Sequence, residues 1–434
     1  MTAVAVPDEK GPVGLLDEVG AAASRLGADG LLWVFSSRRR RGMAEQAVRR
    51  VGLSVVDVVL PIPRWPGAAH LVPVAPTALA DAGTRHLGLR PTVARLAGAV
   101  AAVRIGRVAL RRTARECALV AAREAHAETF RWLGELDGRG VGTATASISA
   151  RTDARVATVL RYLPGSRLPD IAAKVALDRS GRDRLRRERE ALALLGRDAR
   201  RAGAAVPESR GPEDVPWLLV TDVLPGRPGA ARLAGDRGRA KHLVAAVGSW
   251  LTEWNRATAR MEVATPALLE RVLFHAAEVV LGAGVVERDY EELLRRLVSR
   301  VAGRPIVVVA AHNDLTMANV LESDQRVAVI DWESASPTGL PLTDLWYFLA
   351  DVSARVRRTG HVDAVAALVA GSSTAAPFAG ALDHLTAVLS LPPEQAAIAF
   401  HATWLHHAAN ELSRGERRGP FLRVVQAVAS GRIS

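Results

Sequence analysis

Two aspartates and an asparagine carry the chemistry that is easiest to read in this chain. Asp314 and Asn319 stand five apart in His312-Asn313-Asp314-Leu315-Thr316-Met317-Ala318-Asn319, and Asp331 follows twelve residues later in Val329-Ile330-Asp331-Trp332-Glu333. ATP-dependent phosphoryl transfer uses such a set. One Asp accepts or orients the proton of the acceptor hydroxyl, while an Asn and a second Asp hold the metal ions that bridge the phosphates. Oxygen ligands suit Mg²⁺, a hard cation that takes only a few protein carboxylates or carbonyls.

The flanking residues can position these groups. Ile306 to Ala311 is a short apolar run, read as a buried strand ahead of the polar loop that Asp314 opens. Asn319 to Leu321 and Arg326 to Ile330 read as the two strands of a hairpin turning through Glu322-Ser323-Asp324-Gln325. A hairpin brings its open ends together, so Asn319 and Asp331 should lie side by side. An ordinary surface hairpin would explain one such Asp; it does not explain the whole set.

A phosphate-anchoring cation should precede this loop. All but three of the 57 Lys and Arg residues are arginine, the exceptions being Lys10, Lys174 and Lys241. Lys174 lies in Asp170-Ile171-Ala172-Ala173-Lys174-Val175-Ala176-Leu177, a short apolar strand, where a compact ammonium can reach phosphates that a guanidinium fork would crowd. Its helix partner should follow in Arg182–Leu195. Glu188 shares a face with Leu192 and Leu195 and is aimed inward, whereas Glu190 turns about 200° away toward water.

Around Lys174, residues 143–149 and 156–163 alternate as a hairpin whose turn, Arg151-Thr152-Asp153-Ala154-Arg155, should cover the phosphates without a Gly-x-Gly-x-x-Gly sequence. Pro216 to Gly226 reads as a strand ending in a hinge between two lobes. Backbone groups near Asp222 and Val223 would meet the adenine edge, with Thr221 behind the base.

These residues resemble the aminoglycoside phosphotransferase and choline kinase family, a branch of the protein-kinase-like fold. Lys174, Glu188, the 219–226 hinge, Trp250-Leu251-Thr252-Glu253-Trp254-Asn255, the 312–319 loop, Ile330–Glu333 and Gly339–Leu345 carry the resemblance, over roughly residues 140–434. It implies an α+β fold of two lobes, a small antiparallel β lobe and a mainly helical one. It also implies ATP or GTP with Mg²⁺, and a small-molecule hydroxyl such as that of a sugar, an aminoglycoside-like compound or an amino alcohol as acceptor. Asp314 would be the catalytic base, Asn319 and Asp331 the metal ligands, and Lys174 the phosphate anchor. Asp344 would buttress the catalytic loop from a helix start, and His312 would bond backbone rather than act as acid or base. Asn313 stands where the family usually has Gly; Asn tolerates left-handed backbone angles, so the turn should survive.

Before residue 140 the reading is of a different kind. Leu31–Ser37, Met43–Val51, Val55–Leu60 and Leu71–Val74 give strand, helix, strand, strand, a small α/β module over residues 1–75. It is similar to the carboxyl-terminal half of a class I methyltransferase domain but has no glycine-rich cofactor turn, which suggests a remnant or a docking module for a protein partner. Residues 76–139 read as a helical connector. Its Arg95, Arg104, Arg107, Arg111 and Arg115 lie among Leu, Val, Ile and Ala, and read as a solvated face in an arginine-rich chain rather than a membrane-surface helix. The small lobe then spans 140–226 and the large lobe 227–434.

Composition bounds the alternatives. The net charge of +12 reflects arginine spread throughout, without an aromatic-interleaved basic platform, which argues against a nucleic-acid partner. A single cysteine, Cys117, no leader pattern over residues 1–14 and no uncharged span of about 20 residues lead to the expectation of a cytoplasmic protein without a transmembrane segment. Acceptor contacts should come from 255–300 and 347–434. Beyond Leu345 six acids face eight arginines, which does not suit a polycationic acceptor. His401, Trp404, His406, His407, Asn410 and Glu411 form a polar, aromatic cluster, with His407 and Glu411 spaced to share a face toward a cleft or a neighbouring helix. The competing readings are a non-catalytic nucleotide-binding scaffold, and a protein kinase, which the missing Ala-Pro-Glu segment disfavours.

Overall fold

The structure is a computed structural model. It describes residues 2–5, 12–26, 31–62, 70–85, 89–123, 145–149, 155–163, 166, 168–212, 214–230, 237–323, 326–372 and 376–433. The chain forms two compact units, residues 1–186 with 209–223, and residues 187–208 with 224–434. The covering turn at 151–154 and the hairpin tip at 324–325 lie outside the described residues.

The first unit is built on strands β1 (Thr2–Ala5), β2 (Leu32–Ser37), β3 (Ser54–Ile62), β4 (His70–Pro73), β5 (Glu116–Ala122), β6 (Thr145–Ser149), β7 (Val156–Tyr162), β8 (Ile171–Ala176) and β9 (Leu218–Asp222). They form one sheet in the order β1-β2-β5-β3-β4-β6-β7-β8-β9, antiparallel apart from the β1–β2 pair. Side chains alternate across it as the two-residue period of a strand requires. Leu32 and Val34 join one core, with Leu15, Val19 and Val48 of helices α1 (Pro12–Ser24) and α2 (Arg41–Arg50). Trp33 and Phe35 join the opposite core, with Ile148, Val159 and Val220.

Two features differ from the sequence reading. The stretch read as wholly helical holds α3 (Pro76–Arg85), α4 (Pro91–Ala102) and α5 (Arg104–Thr113), but also β5, an interior strand of the sheet. Cys117-Ala118-Leu119-Val120-Ala121-Ala122 is apolar without a period, and so short a run does not separate a buried strand from a buried helix turn. Second, the amino-terminal strands and β6–β9 share one sheet. β4 pairs with β6 at His70↔Ser149 and Leu71↔Ile148, and His70 Nδ1 lies 2.8 Å from Ser149 Oγ.

Helix α6 (Arg179–Ala202) is longer than the expected Arg182–Leu195, because Asp178 caps its start by accepting from the Gly181 N–H at 2.8 Å. In the second unit, β10 (Arg227–Pro228) follows Gly226, whose φ of 125° and closeness to Glu322, about 3.0 Å from a Cβ placed there, demand glycine. Next come α7 (Arg237–Thr258), β11 (Arg260–Val263), α8 (Pro266–Leu269), a π turn over Glu270–Phe274, α9 (His275–Gly282), α10 (Arg288–Ser299) and β12 (Pro305–Ala311). The hairpin of β13 (Val320–Ser323) and β14 (Arg326–Val329) forms where expected, and β15 (Ser336–Gly339) pairs with β12. Helices α11 (Thr343–Arg357), α12 (His361–Val369), α13 (Ala376–Val388), α14 (Pro393–Ser413) and α15 (Pro420–Ala429) complete the unit. Among the described residues no helix is long and apolar enough to cross a membrane.

Candidate active site

The loop from His312 to Asn319 is held by side chains that satisfy its backbone. Asp344, in the first turn of α11, accepts the His312 and Asn313 N–H groups, one on each carboxylate oxygen, both at 2.7 Å. A carboxylate there also suits the positive end of the helix. Asp351, two turns further along α11, accepts the Met317 N–H at 3.0 Å. His312 is fully buried; its Nδ1 accepts from the Asp314 N–H at 3.3 Å, which leaves Nε2 to donate to the Ile330 carbonyl at 3.1 Å. Asn313 takes a φ of 61°, the left-handed angle expected of it, and its amide donates to Ser334 O at 3.0 Å.

The hairpin sets the other two groups. Val320 pairs with Val329, and the Ile330 N–H donates to Asn319 O at 2.9 Å, so Asn319 and the Asp331 segment are adjacent. Asp331 has a φ of 69°. A non-glycine residue held there costs about 1–3 kcal/mol and needs surrounding contacts to impose it. Trp332 supplies several: its ring meets His312 edge-on at 4.8 Å and Trp254 at 5.2 Å, and its Nε1 donates to Val329 O at 2.9 Å. The buried Glu188 accepts the Trp332 N–H at 3.2 Å, and shares its inward face of α6 with Leu192 and Leu195, while Glu190 is exposed.

Asn319 Nδ2 donates to Asp314 O at 2.9 Å and to Asp314 Oδ2 at 3.1 Å. Burial, reinforced by the charges of Asp331 and Glu333, pushes the Asp314 carboxyl up to about 7, against the pull of Arg414 and the Asn319 bond. The open end of the hairpin holds the Asn319 amide and the Asp331 carboxylate next to one another, and the charge of Asp331 is felt at Asp314. That donor set fits Mg²⁺, which takes one or two protein oxygens and completes its shell with water and phosphate. Among the described residues no cluster of three His, Cys, Asp or Glu side chains forms a protein-only metal cage.

Asp314 also faces an open cavity of about 220 Å³, lined among others by Tyr347, His407, Asn410, Glu411, Arg414 and Phe421. Tyr347 of α11 stacks on His407 of α14 at 3.4 Å between ring centres. Glu411 lines the cavity and also accepts the Phe421 and Leu422 N–H groups, so it caps α15 as well as facing the cleft. Sequence reading missed Asp351, Tyr347 and Arg414. The placement of Asp344 and Asp351, seven apart and on either side of the apolar run Leu345–Ala350, was a usable signal; nothing local marked Arg414.

In the first unit, Lys174 lies on β8 opposite Thr158 of β7 and Leu219 of β9. Thr221 is buried at the end of β9 with its hydroxyl 3.5 Å from Ala172 O, and the chain leaves this unit after Asp222 and Val223.

The second unit holds two half-buried histidines, His401 and His406, whose titration should contribute to its acid stability. Burial lowers His401 and His406 from 6.5 to about 4. A histidine that is neutral when folded protonates more readily when unfolded, so its contribution is full above 6.5 and is lost as pH falls toward 4. Linkage gives roughly 1–2 kcal/mol for each at pH 5. We expect the melting temperature to fall by about 5–10 °C between pH 7 and pH 5. A His401→Gln, His406→Gln variant should show about half that drop or less; an equal drop would assign it to other groups.

The chain belongs to the phosphotransferase enzyme family, whose profile matches residues 99–381. The α+β fold class expected from the motifs stands, as a mostly antiparallel sheet in the first unit and a mainly helical second unit. No curated protein matches the chain with significance. Among solved structures the chain is similar to macrolide 2′-phosphotransferase MphH from Brachybacterium faecium, at 20% identity over 70% of this chain and 96% of that one, with a TM-score of 0.44. It is also similar to a choline/ethanolamine kinase family protein from Mesorhizobium loti, at 15% identity over 63% and 83%, with a TM-score of 0.37.

Proposed function

We propose that the protein transfers the terminal phosphoryl group of ATP or GTP to a hydroxyl of a small molecule, in the cytoplasm. The observation that carries this reading is Asp314: a half-buried carboxylate held by Asn319 at the wall of a polar, aromatic cavity. Asp314 accepts or orients the acceptor proton. Asn319 and Asp331 are the proposed Mg²⁺ ligands, and Mg²⁺ bound there would supply the charge neutralisation that phosphoryl transfer needs. Asp344, Asp351 and His312 hold the loop so that Asp314 need not reorganise. Glu188 fixes the backbone after Asp331. Lys174 as phosphate anchor, and Thr221, Asp222 and Val223 as base contacts, belong to the same proposal.

The cavity suits an acceptor that offers a hydroxyl beside an apolar or planar face, since Tyr347, His407 and Phe421 line it together with Asn410 and Arg414. A screen of sugars, amino alcohols and aminoglycosides with ATP and Mg²⁺, read by mass, tests the reading. A product heavier by one phosphoryl group, absent with Asp314→Asn, supports it. ATP consumed only to inorganic phosphate across the screen contradicts it and favours a nucleotide-responsive scaffold.

A further inference from the structure

The helix pair α4–α5 presents an apolar surface that the phosphotransferase reading does not use. Val93, Leu96 and Val100 fall on one stripe of α4, at i, i+3 and i+7, and are 49%, 65% and 41% exposed. Val103 at the junction is 58% exposed, and Ile105 and Val108 of α5 are 80% and 42% exposed. The opposite side of α4 is made of Ala94, Gly98 and Ala101, all buried. There α4 lies so close to α3 that a Cβ at Gly98 would come within 2.6 Å of Pro76 O. The large side chains are therefore turned outward by design of the packing: the small residues take the inner face and Leu, Ile and Val the outer.

The charge around this stripe has one sign. Between Asp81 and Glu116 the sequence holds eight arginines and no acid. Arg95, Arg104 and Arg107 are exposed beside the apolar residues. The fold adds a second basic segment from far away in sequence. Arg38 N–H donates to Arg115 O at 2.7 Å and Arg41 Nη1 to Arg111 O at 2.6 Å, which brings the Arg38–Arg41 turn to the end of α5. The acids within reach are engaged: Asp57 pairs with Arg111 at 3.3 Å and Glu45 with Arg41 at 2.8 Å.

We propose that α4–α5 docks on the surface of an anionic lipid bilayer, with Leu96, Val100, Val103 and Ile105 entering the interface and the arginines meeting lipid phosphates. A helix with an apolar stripe and a basic flank lies in the interface plane and gains from both terms. Nucleic acid would satisfy the arginines but leave the exposed Leu and Ile side chains without a partner, and the stripe has no aromatic ring for base stacking. A second copy of the chain would set arginine against arginine in a self-complementary contact. Charge complementarity with a bilayer satisfies both halves of the surface.

The test is co-sedimentation of the full chain with phosphatidylcholine vesicles, with and without phosphatidylserine, at low and high salt. Binding should require phosphatidylserine and weaken with salt. Arg104→Gln with Arg107→Gln should weaken it about 25-fold, taking roughly fivefold for each arginine. Leu96→Ser with Ile105→Ser should weaken it at least tenfold while leaving the melting temperature of the free protein unchanged. The proposal would be overturned by no binding to anionic vesicles, by equal binding to neutral ones, by variants that bind like the wild type, or by a melting temperature lowered by several degrees in the Leu96→Ser, Ile105→Ser variant. The last would mean that another part of the chain covers the stripe. A dimer in size-exclusion chromatography that the same variant dissociates would assign the surface to self-association and also overturn it.

Discussion

Replacing Asp314 with Asn is expected to lower kcat by about 10²–10⁴-fold while nucleotide affinity stays within about twofold. Asn keeps the size of the side chain and a carbonyl oxygen, but it cannot take a proton from the acceptor. The split between kcat and affinity follows from position: Asp314 faces the cavity, while Asn319 and Asp331 stand at the open end of the hairpin. Steady-state kinetics on an acceptor from the screen, with nucleotide affinity measured separately, checks both numbers. A variant that retains full turnover would remove Asp314 from the chemistry. A variant that loses nucleotide binding equally would make Asp314 a ligand rather than a base.

Asp344→Ala should cost about 2–5 kcal/mol of stability in the second unit, because it leaves the His312 and Asn313 N–H groups without their acceptor inside the protein. Burial pushes the Asp344 carboxyl up, and the two backbone donors work against that, so the bonds and the charge are linked. Asp344→Asn keeps one acceptor oxygen and should lose roughly half as much. Urea unfolding followed by tryptophan emission reads the effect directly, since the Trp332 ring rests on His312. Turnover should fall with stability, because the same two bonds hold the left-handed Asn313 next to Asp314. A loss below about 0.5 kcal/mol would show that the loop keeps its shape by other means.

The geometry of the 312–331 segment was legible because its parts are close in sequence. Asp314 and Asn319 share one loop, a six-residue apolar run precedes them, and one tight hairpin returns the chain to Asp331. The backbone angle of Asn313 was legible for a local reason too, since few residues accept it. Glu188 could be separated from Glu190 by helix geometry alone, as 3.6 residues per turn puts only the former with Leu192 and Leu195.

What escaped is what the tertiary fold decides. The apolar run at 117–122 has no period, and only pairing with β2 and β3 makes it a strand. The union of the amino-terminal strands with β6–β9 rests on the β4–β6 pairing, across more than seventy residues of chain. Asp351 was countable as an acid but not as a loop anchor until α11 placed it one face away from solvent. The outward turn of Leu96 and Ile105 follows from how closely Gly98 lets α4 approach α3, which no local pattern states.

Calorimetric titration of ATP, with and without Mg²⁺, into the wild type and Asp331→Ala tests the central claim most directly, because it needs no acceptor. The account predicts Mg²⁺-dependent binding to the wild type and at least a tenfold loss in the variant, with both proteins folded. Binding that is equal in the two proteins, or absent from a folded wild type, would contradict it.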